Sequence, residues 1–235
     1  LRDLLVVTPS RGRPERLWVM IEACLSLSEA DTDIAVGIDR DDPAAARYDE
    51  IVRAYHFAYS GEVFSVMAPR RTLSMWTNRI AAANAGEYRA FASLGDDHLP
   101  RTAGWDGLLL EALDDLNDYG EGIAYGNDLH QGEALPTAPV ISAGIVSALG
   151  WMMEPSLRHM NVDDVWRDLG RAAGCLAYVP EVVIEHLHPD AGKAVGDETY
   201  AESAAGLSAD REAYHRWRNE RMAADAAKVR AVLKR

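Results

Sequence analysis

Apolar and polar positions along the chain follow two periods in turn. Leu4-Leu5-Val6-Val7-Thr8 is an unbroken apolar run of strand length, and Leu17, Met20, Ile21, Cys24 and Leu25 then recur at helical spacing behind Pro14. The unit repeats. Ile34–Ile38 is followed by a helix predicted from Pro43 to about Tyr59 with Asp42 as its N-cap, and Val63–Met67 by a helix from Ser74 through Met75, Trp76, Ile80 and Ala83. A strand over Tyr88–Leu94 ends in Gly95-Asp96-Asp97-His98, and Trp105, Leu108, Leu109, Ala112, Leu113 and Leu116 give an amphipathic helix after Gly104. Further on come a strand at Ile123–Asp128, a strand and short helix over Pro139–Gly150, and a helix from about His159 to Gly174. Two short strands, Leu176–Val179 and Val182–Ile184, flank Pro180. Together these predict an α/β fold, a mixed Rossmann-like sheet flanked by helices over residues 1–190. Residues 191–207 read as a mobile loop and 208–235 as a C-terminal helical tail.

Composition adds little to that picture, whereas charge adds more. At 235 residues, 48% hydrophobic and 26% charged, the chain can bury a sizeable core. No apolar run approaches membrane-spanning length, and the first residues enter a strand pattern without a signal peptide, so no membrane and a cytoplasmic location are expected. Cys24 and Cys175 read as buried free thiols. The net charge is −13, but eight basic residues against four acidic ones from Ser208 onward leave about +4 on the tail and about −17 on the remainder. A body this acidic repels a phosphate-bearing ligand unless a cation or an arginine cluster intervenes.

Candidates for both interventions lie at strand ends, where open α/β sheets bind ligands. Asp96, Asp97 and His98 can hold a divalent cation, with an acidic, helix-capping turn as the alternative. Arg11, Arg13 and Arg16 sit on or beside the first loop, at a helix start suited to phosphate. Asp39 ends the second strand, where a carboxylate can accept from a base or ribose. Arg70 and Arg71 follow the third strand, and Asn78 lies one turn inside its helix. Asp163 and Asp164 share the first turn of a later helix. One of them serves the helix dipole or orients, which leaves Asp164 as the expected general base. His186 and His188 share one face of a late strand, opposite Glu185, and either could complete a metal site. Lys193, Asp197 and Tyr200 fall in the 191–207 segment, which reads equally as lid or linker.

In this order the motifs resemble those of the GT-A class of nucleotide-sugar glycosyltransferases, over roughly Leu4 to Pro189. The resemblance rests on Thr8-Pro9-Ser10-Arg11 with Asp39, on Asp96-Asp97-His98, on Asp163-Asp164 and on His186 or His188. His98 stands where Asp is commoner, and Asp163-Asp164 where Glu-Asp is commoner. Gly-Asp-Asp-His, Tyr-Gly-Asn-Asp and Glu-His-Leu-His look most like compact phage enzymes of the TET-associated type, which glycosylate hydroxymethylated pyrimidines in DNA. The resemblance implies a GT-A fold and inverting transfer from a nucleotide sugar, most readily a UDP-sugar, with Mn2+ or Mg2+. It implies donor contacts from Thr8, Pro9, Arg11, Asp39, Arg71, Asn78 and Asp96, metal ligation by Asp97, His98 and His186 or His188, and catalysis by Asp164 and Asp163. It also implies an acceptor in modified DNA inside a phage-infected host cell. A protein acceptor and a nucleotidyltransferase on the same architecture are the alternatives.

Overall fold

The apolar runs assemble into one eight-stranded sheet in a computed structural model of the chain, which describes residues 1–55 and 61–234. Strands β1 (Arg2–Ser10), β2 (Thr32–Asp39) and β3 (Val63–Ala68) alternate with helices α1 (Pro14–Leu27), α2 (Ala45–Tyr55) and α3 (Leu73–Ala83). Then come β4 (Tyr88–Ser93), β5 (His98–Pro100), α4 (Trp105–Leu116), β6 (Ile123–Asn127), β7 (Val140–Ser142), α5 (Ala143–Leu149), α6 (Val162–Ala173), β8 (Leu176–His186), α7 (Glu198–Glu220) and α8 (Met222–Val232). The spatial order is β3-β2-β1-β4-β7-β6-β8-β5. The β3-β2-β1-β4 half is parallel, β7 runs antiparallel to both neighbours, and β5 pairs antiparallel with β8. A sheet covered on both faces explains why β1 and β2 read as continuous apolar runs. Leu4 and Val6 face a core with α1, α2 and α4, while Leu5 and Val7 face a second core with α3, α5, α6 and the C-terminal helices.

Some local expectations change. The third helix is capped by Thr72, whose side chain accepts from the Met75 N–H, and Ser74 is a buried helical residue. The second helix is described to Tyr55, and its expected extension toward Tyr59 lies outside the described residues. The two short strands around Pro180 are one strand: Gly126 pairs with Val179 and Asn127 with Val183, so Pro180, Glu181 and Val182 form a bulge. A bulge is where a strand tolerates a residue lacking an N–H, and the missing side chain of Gly126 admits the Val182 carbonyl. Beyond the bulge β8 reaches β5 and places His186 directly opposite His98.

Residues 191–207, expected as a loop, are helical from Glu198 onward. Asp197 caps that helix by accepting from the Tyr200 N–H at 3.2 Å. The tail is two helices, broken at Arg221. The second half of α7 and α8 bury Ala213, Tyr214, Trp217, Ala226 and Val229 against the sheet's second core. Both cysteines are buried and free.

Candidate active site

The turn from β4 to β5 and the end of β8 build the centre of the site. Asp97, His98 and His186 each bring a ligand atom within 4.8 Å of the others'. Backbone bonds fix the frame: Leu187 N–H donates to the Asp97 carbonyl at 2.8 Å, His186 N–H to the Asp128 carbonyl at 3.0 Å. The His98 and His186 rings stack at 4.0 Å. His98 Nδ1 accepts from the Gly95 N–H at 3.1 Å, which leaves Nε2 to carry the proton or a cation. His98 Nε2 and His186 Nδ1 are buried without a hydrogen-bond partner. Burial opposes ionisation of Asp97, but His186 and His98 hold its carboxyl well below the usual carboxylate range. One carboxylate beside two imidazoles, with His98 Nδ1 at 3.2 Å and His186 Nε2 at 3.7 Å from Asp97, is a donor set that fits Mn2+ or Zn2+. His188 stands outside the set; its Nδ1 accepts from the Asp190 N–H. The strand register therefore selects His186 between the two histidines.

Asp96 turns the other way. Its Oδ2 accepts from Ser10 Oγ at 2.6 Å and its Oδ1 from Arg13 at 3.2 Å. Burial and the neighbouring Asp97 charge push its pKa up to about 6 against the pull of Arg13 and Ser10. With both oxygens paired inside the protein, Asp96 fastens the loop after β1 to the turn that carries Asp97 and His98. Tyr48 completes the clasp: its hydroxyl lies 2.9 Å from Ser10 Oγ and accepts from the Arg13 N–H at 2.8 Å. Asp42, besides its turn at α2, accepts from the Gly12 N–H at 2.8 Å.

The other expected donor contacts divide. Asp39, buried at the end of β2, accepts from Trp76 Nε1 at 2.8 Å, the Arg71 N–H at 3.0 Å and Arg11 at 3.2 Å. It thereby draws together the loops after β1 and β3. Arg71 is half-buried with an unpartnered Nε, and Thr8 is buried with an unpartnered hydroxyl. Pro9 lies next to it in β1. Asn78 is placed elsewhere: its Oδ1 accepts from the Met152 and Met153 N–H groups and its Nδ2 donates to the Met153 carbonyl. Its amide is thereby engaged by the Met152–Met153 backbone.

The two acids at the start of α6 have opposite surroundings. Asp164 is engaged, accepting from Asn161 Nδ2 at 2.7 Å and pairing with Arg167 at 2.7 Å. Asp163 has no side-chain partner of this kind. Burial raises its pKa to about 7, opposed by its own backbone N–H and reinforced by the charge on Asp164; His186 and Asp128 are the next charges it feels. A carboxylate poised near neutrality is suited to general-base work. Among the described residues, then, Asp164 has side-chain partners and Asp163 has none, a difference that bears on which of the two serves as the base.

Residues that sequence reading did not place in the site come mainly from the start of α7. Tyr200 donates its hydroxyl to Asp97 Oδ2 at 2.6 Å, and Asp197 forms a two-pronged pair with Arg13 at 2.6 and 2.8 Å. The signal available in advance was the Asp197-x-x-Tyr200 spacing of a capped helix start. Asp210, in the same helix, accepts from the Arg158, His159 and Met160 N–H groups at 2.7 to 2.9 Å and so steadies the approach to α6.

No protein-family model matches the sequence, and no curated protein matches it. Solved structures do. The mannosyltransferase PcManGT from Pyrobaculum calidifontis, in complex with GDP-Man and Mn2+, aligns with TM-score 0.60 at 12% identity over 97% of this chain and 76% of that one. Residues 1–349 of TarS from S. aureus align with TM-score 0.59 at 8% identity over 77% of this chain, which spans 59% of theirs; TarS is also known in complex with UDP. The 4-diphosphocytidyl-2C-methyl-D-erythritol synthase from Anaerococcus prevotii aligns with TM-score 0.53 at 10% identity over 78% of this chain and 88% of that one. At these identities the likeness establishes the fold: the chain has the GT-A, Rossmann-like architecture of nucleotide-sugar glycosyltransferases. The expected fold class is the observed one. Among the described residues no helix is long and apolar enough to cross a membrane.

Proposed function

We propose that the protein is a metal-dependent glycosyltransferase that moves a sugar from a nucleotide donor, most readily a UDP-sugar, to an acceptor hydroxyl with inversion. The observation that carries this reading is the Asp97–His98–His186 set at the strand end, with the half-buried Asp163 at the start of α6 as the acid beside it. Asp97, His98 and His186 would hold the cation, for which two imidazoles favour Mn2+ over the Mg2+ also expected, and a bound cation would supply charge neutralisation for a departing diphosphate. Asp163 takes the proton from the acceptor hydroxyl as its oxygen attacks the anomeric carbon, and the nucleoside diphosphate leaves from the opposite face. Asp164, tied to Asn161 and Arg167, holds the first turn of α6 in place. Asp39, Arg11, Arg71, Thr8 and Pro9 form the wall for the base and ribose.

For the acceptor we propose the hydroxymethyl group of a modified pyrimidine in phage DNA, as the sequence resemblance implies. The basic tail contributes less than its charge suggests. Arg218 pairs with Asp168, Arg221 with Glu154, Lys228 with Asp225, and Arg230 caps the Ala172 carbonyl. A protein hydroxyl is the rival, and binding to a modified duplex across salt separates them. A steep loss of affinity with rising salt supports DNA, and a weak, salt-independent signal contradicts it. The synthase likeness favours a second reaction class, nucleotidyl transfer, on fold grounds. Products decide between them. Incubating a panel of nucleotide sugars with Mn2+ is expected to release free sugar and nucleoside diphosphate, whereas inorganic diphosphate formed from a nucleoside triphosphate would overturn the reading.

A further inference from the structure

We infer that Arg13 and Arg16 form the subsite for the donor's diphosphate, and that the Asp197 carboxylate is a resident stand-in which the diphosphate displaces. The inference rests on the nucleotide-sugar reading of the site. A two-pronged guanidinium–carboxylate pair has the geometry by which arginine also grips phosphate. Arg13 Nε and Nη2 meet the two oxygens of Asp197 at 2.8 and 2.6 Å, and Arg16 adds a second cation at 3.7 Å. Arg13 also lies 3.8 Å from Asp97, so the subsite adjoins the metal set, where a diphosphate bridging cation and arginine must lie. Asp197 arrives from a segment 184 residues away in sequence, and it does not arrive alone. Tyr200 places its ring 4.1 Å from the Arg13 guanidinium and its hydroxyl on Asp97, and Arg70 pairs with Glu202 at 2.5 Å.

The way this segment is attached makes it displaceable. From Asp197 to Ala209 no residue of α7 is fully buried, whereas Asp210, Ala213, Tyr214 and Trp217 are. The first half of the helix is therefore held on the site by ion pairs, the Tyr200 ring and the Tyr200 and Thr199 hydroxyls, and the ion pairs compete directly with a polyanion and weaken with salt. Gly192, at φ +69°, and Gly196 precede it and supply backbone freedom for a hinge. The second half stays anchored in the core. An incoming diphosphate would take over the Arg13 fork, and the 197–209 arm would leave the site by unwinding its turns, with the helix retained from Asp210 onward.

The test uses the full chain and inorganic pyrophosphate, UDP and GDP, each with Mn2+, followed by titration calorimetry and by hydrogen exchange of the 197–209 amides. In the wild type, saturating pyrophosphate is expected to speed exchange across 197–209 while 210–220 stays protected. Asp197→Asn keeps an N-cap but removes the charge; it is expected to bind pyrophosphate at least about fivefold more tightly, with 197–209 already unprotected before ligand. Arg13→Lys is expected to bind it more weakly than wild type. If pyrophosphate binds wild type and Asp197→Asn equally and leaves 197–209 protected, the inference is overturned, even where UDP or GDP binds with Mn2+ and the glycosyltransferase reading stands. If the arm is released by pyrophosphate but neither nucleoside diphosphate binds better than pyrophosphate, the subsite stands and the donor assignment fails.

Discussion

The turn between β4 and β5 and the first turn of α6 both offer a pair of adjacent aspartates, and the structure treats the pairs oppositely. In the turn, Asp97 is flanked by two histidines and Asp96 by Arg13 and Ser10, so the pair is built into a scaffold of counter-charges. In α6, Asp164 takes the available partners and Asp163 is left to burial, which lifts its pKa to about 7. On the proposed reading the first arrangement would stabilise charge that departs with a leaving group, and the second would exchange a proton. Identity of residue is the same; surroundings assign the work.

The comparison can be broken by removing each group in turn. The largest effect is expected for Asp163→Asn, with transfer to acceptor lowered by roughly a hundred- to ten-thousand-fold while nucleoside diphosphate affinity stays at the wild-type value. A split of this kind between kcat and binding marks a base. Next, His186→Ala is expected to lower turnover by about a hundred- to thousand-fold and to abolish the Mn2+ dependence of nucleotide binding, read by calorimetry with and without the ion. His188→Ala, outside the set, should leave that dependence in place. The pH profile of kcat is expected to rise through about pH 7 and level off above it, because Asp163 acts only when deprotonated. Asp163→Asn should remove that limb. The smallest effect belongs to Asp164→Asn, which loses one half-exposed ion pair and is expected to cost about 0.5 kcal/mol in thermal denaturation and only a few-fold in rate. A collapse of activity in that variant would return the base to Asp164.

Much of this was readable from residue order because the parallel half of the sheet is built from strongly periodic segments. β1 to β4, their helices and the acidic turn follow from apolar runs and caps. The metal turn could be read because three of its residues are contiguous. The choice of His186 could not, since it depends on antiparallel register with His98 across a strand that bulges at Pro180, and a proline inside an apolar run reads as an end. The engagement of Asp164 was half-visible: Arg167 stands three residues after it, the spacing of a helical ion pair. The first half of α7 was hidden because it carries few apolar residues to mark a face. Its helix is fixed by the Asp197 cap and by arginines far earlier in the chain, which no local pattern reports. Asn78 is a case that residue order could not report either: its amide is engaged by the Met152–Met153 backbone, seventy-odd residues further along the chain.

The most direct measurement is calorimetric titration of UDP and GDP into the wild type, Asp97→Ala and Asp163→Asn, each with and without Mn2+. Nucleoside diphosphate binding that requires Mn2+, is lost in Asp97→Ala and is unchanged in Asp163→Asn is the predicted result. Binding that ignores the ion and survives Asp97→Ala, or that falls equally in both variants, would contradict the division of the site into a leaving-group half and a base.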